Sequence, residues 1–453
     1  MSGKRKRDGV GGRDGVDMEA IVWQTPANPP EASDYIFRRG KRYVRPYYFE
    51  FISHVNKIDL LRTGGPARLL WISLRRSSKG ALTTIIPISV VDEEAFVNAV
   101  KCGRIQVDDK MVNTLYIVQS SQKISHFLHR HEPPVLAEDV QILQNETDIV
   151  TICKPASIPV HPCGQYRKNT IVGILQAEHN LTPLYRILDS VHRLDRLVSG
   201  LLIFAKSADK ADCLRQQIEA GLLRKEYIAK VIGVFPNEEL PSLCSTRLMV
   251  CFLIVLFFFS FSFQVVVDAN ISYNAREGRS YVEIDDCHLD KALRGKTACT
   301  KFSRISTNGK YSLVLCQPVT GRTHQDGLRE KEYPLVVSCG MIRVHLQHAG
   351  HPIANDGLYL SKDAPLRSAK GVGADRAAIE TCELPISEPA KDDPYAEDAS
   401  GEEFSIDPMC TNCPNLPPNG YDGNEVGMWL HCVRYSGPDW SYECPYPEWA
   451  HLS

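Results

Sequence analysis

Residues 186–207 read RILDSVHRLDRLVSGLLIFAKS. His192, Arg193, Asp195 and Arg196 crowd immediately before a nearly pure apolar run. Charge held beside a buried strand is expensive unless it has a partner or a use. Taken alone, the cluster reads either as a turn with a solvated ion pair or as charge kept next to the core for chemistry. The apolar GLLIFAK at 200–206 reads as a buried strand. After it, SADKADCLRQQIEAG (207–221) has Ser207 as N-cap, Ala208, Ala211, Leu214 and Ile218 on one helical face, and Gly221 at the stop. RKEYIAKVIGVF (224–235) then alternates with period two. Tyr227, Ala229 and Val231 face one side, and Glu226, Ile228 and Lys230 the other.

Upstream, DIVTICKP (148–155) predicts a strand ended by Pro155. Downstream, SYVEIDD and YSLVLCQPV read as further strands. Many strands with few helices predict an α+β fold built on a mixed, mainly antiparallel sheet. Residues 1–34, rich in Gly, Pro and charge, read as a disordered N-terminus. An N-terminal region follows at 35–130. Within it, EAFVNAVKCGRIQVDDKMVNTLYIVQSSQKI starts as a helix and continues as two short strands turning at Asp108-Asp109. This small module, about 92–130, is either a plain helix and hairpin or, by resemblance, an alpha-L-like RNA-binding module. Residues 139–361 form the large predicted domain, 362–408 an acidic linker and 409–453 a Cys- and aromatic-rich C-terminal segment.

At 453 residues, with 43% hydrophobic and 23% charged side chains, the chain has the composition of an ordinary soluble globular protein of two or three units. The net charge of −2 conceals an uneven distribution. Residues 362–408 hold five Lys/Arg against twelve Asp/Glu, which leaves the remainder at +5. That excess suits a nucleic-acid partner. Fifteen Cys without a repeating framework, and no secretory signal, favour a reducing compartment, cytoplasmic or nuclear. Lys4-Arg5-Lys6-Arg7 is either a nuclear address or a solvated tip.

Three further segments bear on the charged cluster. ICKPASIPVHPCG (152–164) is a Pro-bounded loop presenting His161. KEYIAKV places Tyr227 on a sheet face. TGRTHQ (320–325) and IRVHLQHAGHPIANDGLY (342–359) supply Arg322, His324 and Arg343, with Arg343 and His345 expected on one side of a strand. Together with HRLDRL, these ordered motifs resemble the RluA-type RNA pseudouridine synthases, in their eukaryotic, plant-like branch. The resemblance covers about 139–360 outside two interruptions.

The resemblance implies an isomerase that detaches uracil from its ribose carbon, turns it over and rejoins it through carbon. A carboxylate suits this step because it acts as nucleophile or base without a cofactor. Asp195 matches the family's catalytic Asp, Arg343 the arginine that pairs with it, and Tyr227 the residue that stacks on the base and is a candidate to take the C5 proton. Arg193 matches the arginine that fills the space left by the everted nucleotide, an eversion costing about a few kcal/mol. On the substrate-binding side, His192 is read as ordering the loop in preference to transferring a proton, and His161, Arg322 and His324 as loop-ordering or phosphate-contacting groups. The implied partner is a structured RNA, tRNA or rRNA, and the implied state a monomer.

The chain also departs from the family pattern. Ser157 stands where the family usually has Gly, and Val198 where it often has Thr. LMVCFLIVLFFFSFSFQVVV (248–267) reaches the roughly 20 residues of a membrane span. It falls inside the resembling domain, however, where a span would split one sheet, so no membrane is expected. Its pyrimidine-codon composition suggests that about 241–264 is unspliced intron. DGLREKEYPLVVSCGM (326–341) separates GRTHQ from IRVHLQH and is expected to split the strand carrying Arg343. The alternative to an active enzyme is therefore a catalytically impaired RNA-binding paralogue or a mis-spliced isoform. No cofactor is implied for catalysis. In the C-terminal segment Cys410 and Cys413, with His431, Cys432 and Cys444, form either a structural zinc site or a set of reduced thiols among the tryptophans.

Overall fold

The computed structural model describes residues 29–54, 93–182, 184, 194–236, 264–274, 279–282, 296–319, 338–360, 404, 406–421 and 426–452. The N-terminal residues 1–28, the first interruption up to 263, the acidic linker from 361 to 403, and His192, Arg193, Arg322 and His324 lie outside the described residues.

The first strands in chain order are β1 (Tyr35–Arg38), β2 (Lys41–Val44), β3 (Tyr47–His54), β4 (Ile105–Val107), β5 (Lys110–Met111), β6 (Lys123–Arg130), β7 (Val135–Leu136), β8 (Gln141–Asn145) and β9 (Ile149–Lys154). They continue as β10 (Ser199–Ala205), β11 (Arg224–Ile232), β12 (Val265–Asn274), β13 (Arg279–Val282), β14 (Lys296–Thr307), β15 (Tyr311–Pro318), β16 (Leu430–Ser436) and β17 (Ser441–Glu443). The helices are α1 (Glu93–Lys101), α2 (Ile171–His179), α3 (Ala208–Glu219), α4 (Ser338–His348) and α5 (Gly357–Leu360).

The chain divides into two units, one containing Tyr47–Arg130 and the other Pro29–Pro46 with His131–Ser453. In the first, β3, β6, β4 and β5 form one antiparallel sheet beside α1. The β4–β5 hairpin turns at Asp108 and Asp109 with φ of 49° and 60°. Two successive left-handed residues are what a two-residue hairpin turn requires, and Asp tolerates them. The partner of β6 is β3, paired from Tyr47↔Arg130 to His54↔Lys123, a long-range pairing that periodicity does not reveal.

In the second unit a ten-stranded sheet runs β13-β12-β14-β15-β11-β16-β10-β9-β8, with β17 paired to β16. The predicted strands at 148–155, 200–206 and 224–235 are β9, β10 and β11. The predicted helix is α3, where the Ser207 hydroxyl accepts from the Lys210 amide and Leu214 and Ile218 are buried. The pairings are antiparallel except β10 with β16.

Two expected boundaries are corrected. β1 and β2 form a sheet with β7 in the second unit, so residues 35–46 group with the chain after 130 and not with the rest of the N-terminal region 35–130. The C-terminal stretch is no separate segment, because β16 lies at the centre of the large sheet between β10 and β11. Ile228 on β11 packs with Leu313, Val433 and Ala450. Residues more than 200 positions downstream thus cover one face of the strand bearing Tyr227.

Candidate active site

Asp195 sits in the turn entering β10, closed by a hydrogen bond from the Val198 amide to the Asp195 carbonyl at 3.1 Å. Leu197, Val198, Leu201 and Leu202 are buried behind it, so the apolar run anchors the turn through the core. Its side chain remains 28% exposed, which keeps the carboxylate reachable. The turn is held from beneath by Lys154, a fully buried side chain on β9. Its ammonium donates to the carbonyls of Pro155 at 2.9 Å, Arg196 at 3.0 Å and Val198 at 2.7 Å. Burial, and then the Arg196 charge, pull Lys154 down to about 7, yet three carbonyl acceptors match the three protons of the charged form. Nothing in the alternating pattern of β9 marks Lys154 as special, and sequence reasoning missed it.

Arg343 comes from α4, and here the expectation of a strand fails. Ser338–His348 is a helix, in which residues two apart are separated by about 200°. Arg343 therefore turns toward Asp195, while His345 is buried and meets the Thr300 hydroxyl at 2.8 Å. Residues 338–341, assigned from the sequence to the second interruption, are the first turn of this helix, and Cys339 and Met341 are buried there.

The Arg343 guanidinium donates Nε and Nη2 to the Asp356 carboxylate at 2.7 and 2.9 Å, and Asp356 is fully buried. Its remaining Nη1 lies 3.9 Å from Asp195 Oδ2, and its flank lies over the Tyr359 ring at 4.9 Å. Burial opposes the charge, but the Asp356 carboxylate more than offsets this, and the Arg343 pKa is raised. Asp356 and Tyr359 both lie in the quoted IANDGLY motif, yet neither was recognised as a support.

Tyr227 projects from β11, buried, with its hydroxyl 3.1 Å from that of Tyr435 on β16. Burial and the Tyr435 hydroxyl hold Tyr227 well above the usual tyrosine range, so it is a neutral phenol near neutrality. Lys225, two residues earlier on the same strand, is pulled down to about 8 by burial and lies over the Tyr435 ring at 5.5 Å.

Register relates the two strands. Cys432 is the Cα partner of Gly200 on one side and of Tyr227 on the other, placing Gly200 and Tyr227 two strand spacings apart, about 10 Å. Gly200 is required at that crossing: its φ is +116°, and a Cβ would strike the Cys432 backbone. Ser157, where Gly was expected, has a φ of +72°. That left-handed conformation favours Gly. Ser157 is buried, with its hydroxyl accepting from the Leu136 amide at 3.3 Å.

Of the remaining expected residues, His161 packs edge-on against Phe204 of β10, centroids 6.1 Å apart. The five-residue metal set does not assemble. Cys410 and Cys413 fall in one group of ligating side chains, and His431 with Cys444 in another that includes Cys153. His431 uses both ring nitrogens within the protein, at 2.8 Å to the Ser199 hydroxyl and 3.1 Å to the Pro445 carbonyl. Cys432 is buried in the central strand between Gly200 and Tyr227.

A turn-borne carboxylate, an anchored guanidinium and a buried tyrosine pair bring together groups capable of acid–base or nucleophilic chemistry. Residues 148–325 match the family model described as RNA pseudouridylate synthase. The chain is 57% identical over 445 residues to the RNA pseudouridine synthase 7 of Oryza sativa subsp. japonica, covering 95% of this chain and 96% of that one. It is 51% identical over 439 residues to the protein of the same name in Arabidopsis thaliana, covering 95% and 92%. It is 31% identical over 372 residues to the Saccharomyces cerevisiae tRNA pseudouridine(32) synthase, mitochondrial, covering 79% and 69%. Fold and similarity together define an isomerase that forms pseudouridine in RNA. The chain belongs to the RluA-type RNA pseudouridine synthases, in their eukaryotic branch.

Proposed function

We propose that this enzyme isomerises a uridine in transfer RNA, with Asp195 as the catalytic carboxylate. The observation that carries the residue assignment is the Arg343 guanidinium. It is fixed to buried Asp356 through two nitrogens and presents the third to Asp195 at 3.9 Å. A cation at that distance favours the ionised carboxylate, the form needed to act on the ribose as nucleophile or base. The C1′–N1 bond breaks, the uracil turns over, and a C1′–C5 bond forms. The C5 proton is lost and N1 gains one, so the reaction is a net isomerisation.

Tyr227 serves this sequence as a neutral phenol packed against the base, and the proton lost from C5 leaves to solvent, which returns one to N1. Arg193, by its motif position, fills the space vacated by the everted nucleotide. The interruption before α4 does not displace Arg343 from Asp195, which favours an active enzyme over an impaired RNA-binding paralogue. Among the described residues no helix is long and apolar enough to cross a membrane. Transfer RNA is favoured over ribosomal RNA because the yeast relative covering 79% of this chain is named for a tRNA position. Base-resolution mapping of pseudouridine in total RNA, with and without the gene, tests the substrate. Loss of a tRNA pseudouridine is expected, and loss confined to rRNA contradicts the proposal.

A further inference from the structure

The Cys410-x-x-Cys413 pair has a partner that the sequence does not suggest: His131, about 280 positions earlier. The His131 imidazole and the two sulfurs lie within 4.8 Å of one another, with His131 buried and both cysteines half-buried. His131 Nδ1 is 3.1 Å from the Leu416 carbonyl. A carbonyl only accepts, so Nδ1 carries the proton and the Nε2 lone pair faces Cys413. Nε2 is 3.5 Å from Cys413 Sγ. For a tetrahedral zinc with Zn–S of about 2.3 Å and Zn–N of about 2.0–2.1 Å, a ligating nitrogen and sulfur should stand about 3.5–3.6 Å apart.

The loop is shaped for the purpose by two successive turns. The Cys410 amide donates to the Asp407 carbonyl at 3.0 Å and the Cys413 amide to the Cys410 carbonyl at 3.3 Å. The Asp407 amide points at Cys413 Sγ at 3.5 Å. Backbone N–H groups aimed at a sulfur, and a ligating imidazole fixed by a carbonyl on its other nitrogen, are outer contacts that orient metal ligands.

We propose that His131, Cys410 and Cys413 bind a structural zinc ion, which fastens the 406–421 loop to the segment following β6. Two thiolates and one imidazole select zinc over the hard cations Mg²⁺ and Ca²⁺. The adjoining Glu132 makes the consequence larger than one loop. Its buried carboxylate accepts from the amides of Arg167, Lys168 and Asn169 at 2.9–3.0 Å, so the ion would steady the backbone that leads into α2.

The test is metal analysis of the full-length chain purified in reducing buffer with zinc supplied. About one zinc per chain is expected in the wild type. It should fall at least tenfold in the Cys410→Ser/Cys413→Ser double variant and in His131→Gln, and persist in Cys444→Ser. As a readout that needs no variant to fold, Co²⁺ loaded into the wild type should give thiolate-to-cobalt charge-transfer absorption. Folded wild-type protein without zinc, zinc retained in the double variant, or a Cys410–Cys413 disulfide persisting under reducing conditions would overturn the proposal.

Discussion

Replacing Asp356 by Asn tests how Arg343 is held. Arg343 gives two nitrogens to the Asp356 carboxylate at 2.7 and 2.9 Å, and that carboxylate is fully buried. Asn preserves the shape and one acceptor but removes the charge and turns an amide N–H toward the guanidinium. Removing one member of a buried ion pair costs about 3–5 kcal/mol, because the other charge stays behind. Part of this is recovered, since the Arg343 side chain is 11% exposed and Asp195 stands 3.9 Å away to receive it. The expected net loss is about 3 kcal/mol of stability. A guanidinium drawn off its axis should also slow catalysis by about 10–100-fold, or about 1.4–2.8 kcal/mol of barrier. Urea unfolding reads the first quantity. Single-turnover release of tritium from C5-labelled uridine in RNA reads the second. An Asp356→Asn protein with wild-type midpoint and wild-type rate would refute the claim that Asp356 positions Arg343.

Three other perturbations follow from the same structure. Lys154→Met keeps the volume but leaves three buried carbonyls without their donor. At about 1–3 kcal/mol each it should lose several kcal/mol in denaturant melts, and a loss under about 1 kcal/mol would show that the Asp195 turn is held by something else. Gly200→Ala drives a Cβ into the Cys432 backbone and should push β16 from β10, read as loss of amide-exchange protection across 430–436; unchanged protection would contradict the register. Burial pulls His345 and His431 down to about 4 from the ordinary 6.5. The unfolded chain then takes up protons first as the pH falls, so stability is full above 6.5 and lost between 6.5 and about 4. That loss should reach roughly 3 kcal/mol per histidine, and a urea midpoint unchanged from pH 7 to 5 would exclude it.

Local chemistry made part of this molecule legible. The Ser207 cap, the apolar spacing of α3 and the alternation of β11 are decided by residues a few positions apart, and the structure follows them. The Asp108-Asp109 turn was readable for the same reason. What the pattern did not convey is pairing across distance. β16 carries an ordinary strand sequence, and only the sheet shows that it fills the place between β10 and β11. The cost of missing it was the Tyr435 partner of Tyr227.

The site followed the same division. Asp195 and Arg343 meet, but the support for each came from residues whose function depends on burial. Lys154 and Asp356 look like ordinary surface charges in the sequence, and only a fully enclosed position turns them into anchors. Arg343 was expected on a strand because IRVHL alternates over five residues. The helix forms because Ile342 and Leu346, one turn apart, are buried together. The Cys pair was visible from its spacing, whereas His131 could be assigned to it only once the chain had brought the two together.

The central claim is that Asp195 acts chemically and is not a structural part of the turn. The direct measurement is single-turnover pseudouridine formation by Asp195→Asn against wild type, on RNA that both bind, with unfolding followed in parallel. The side chain is 28% exposed, so Asn should leave the unfolding midpoint nearly unchanged and RNA affinity intact while product formation disappears. A variant that still forms pseudouridine at a wild-type rate would contradict the account.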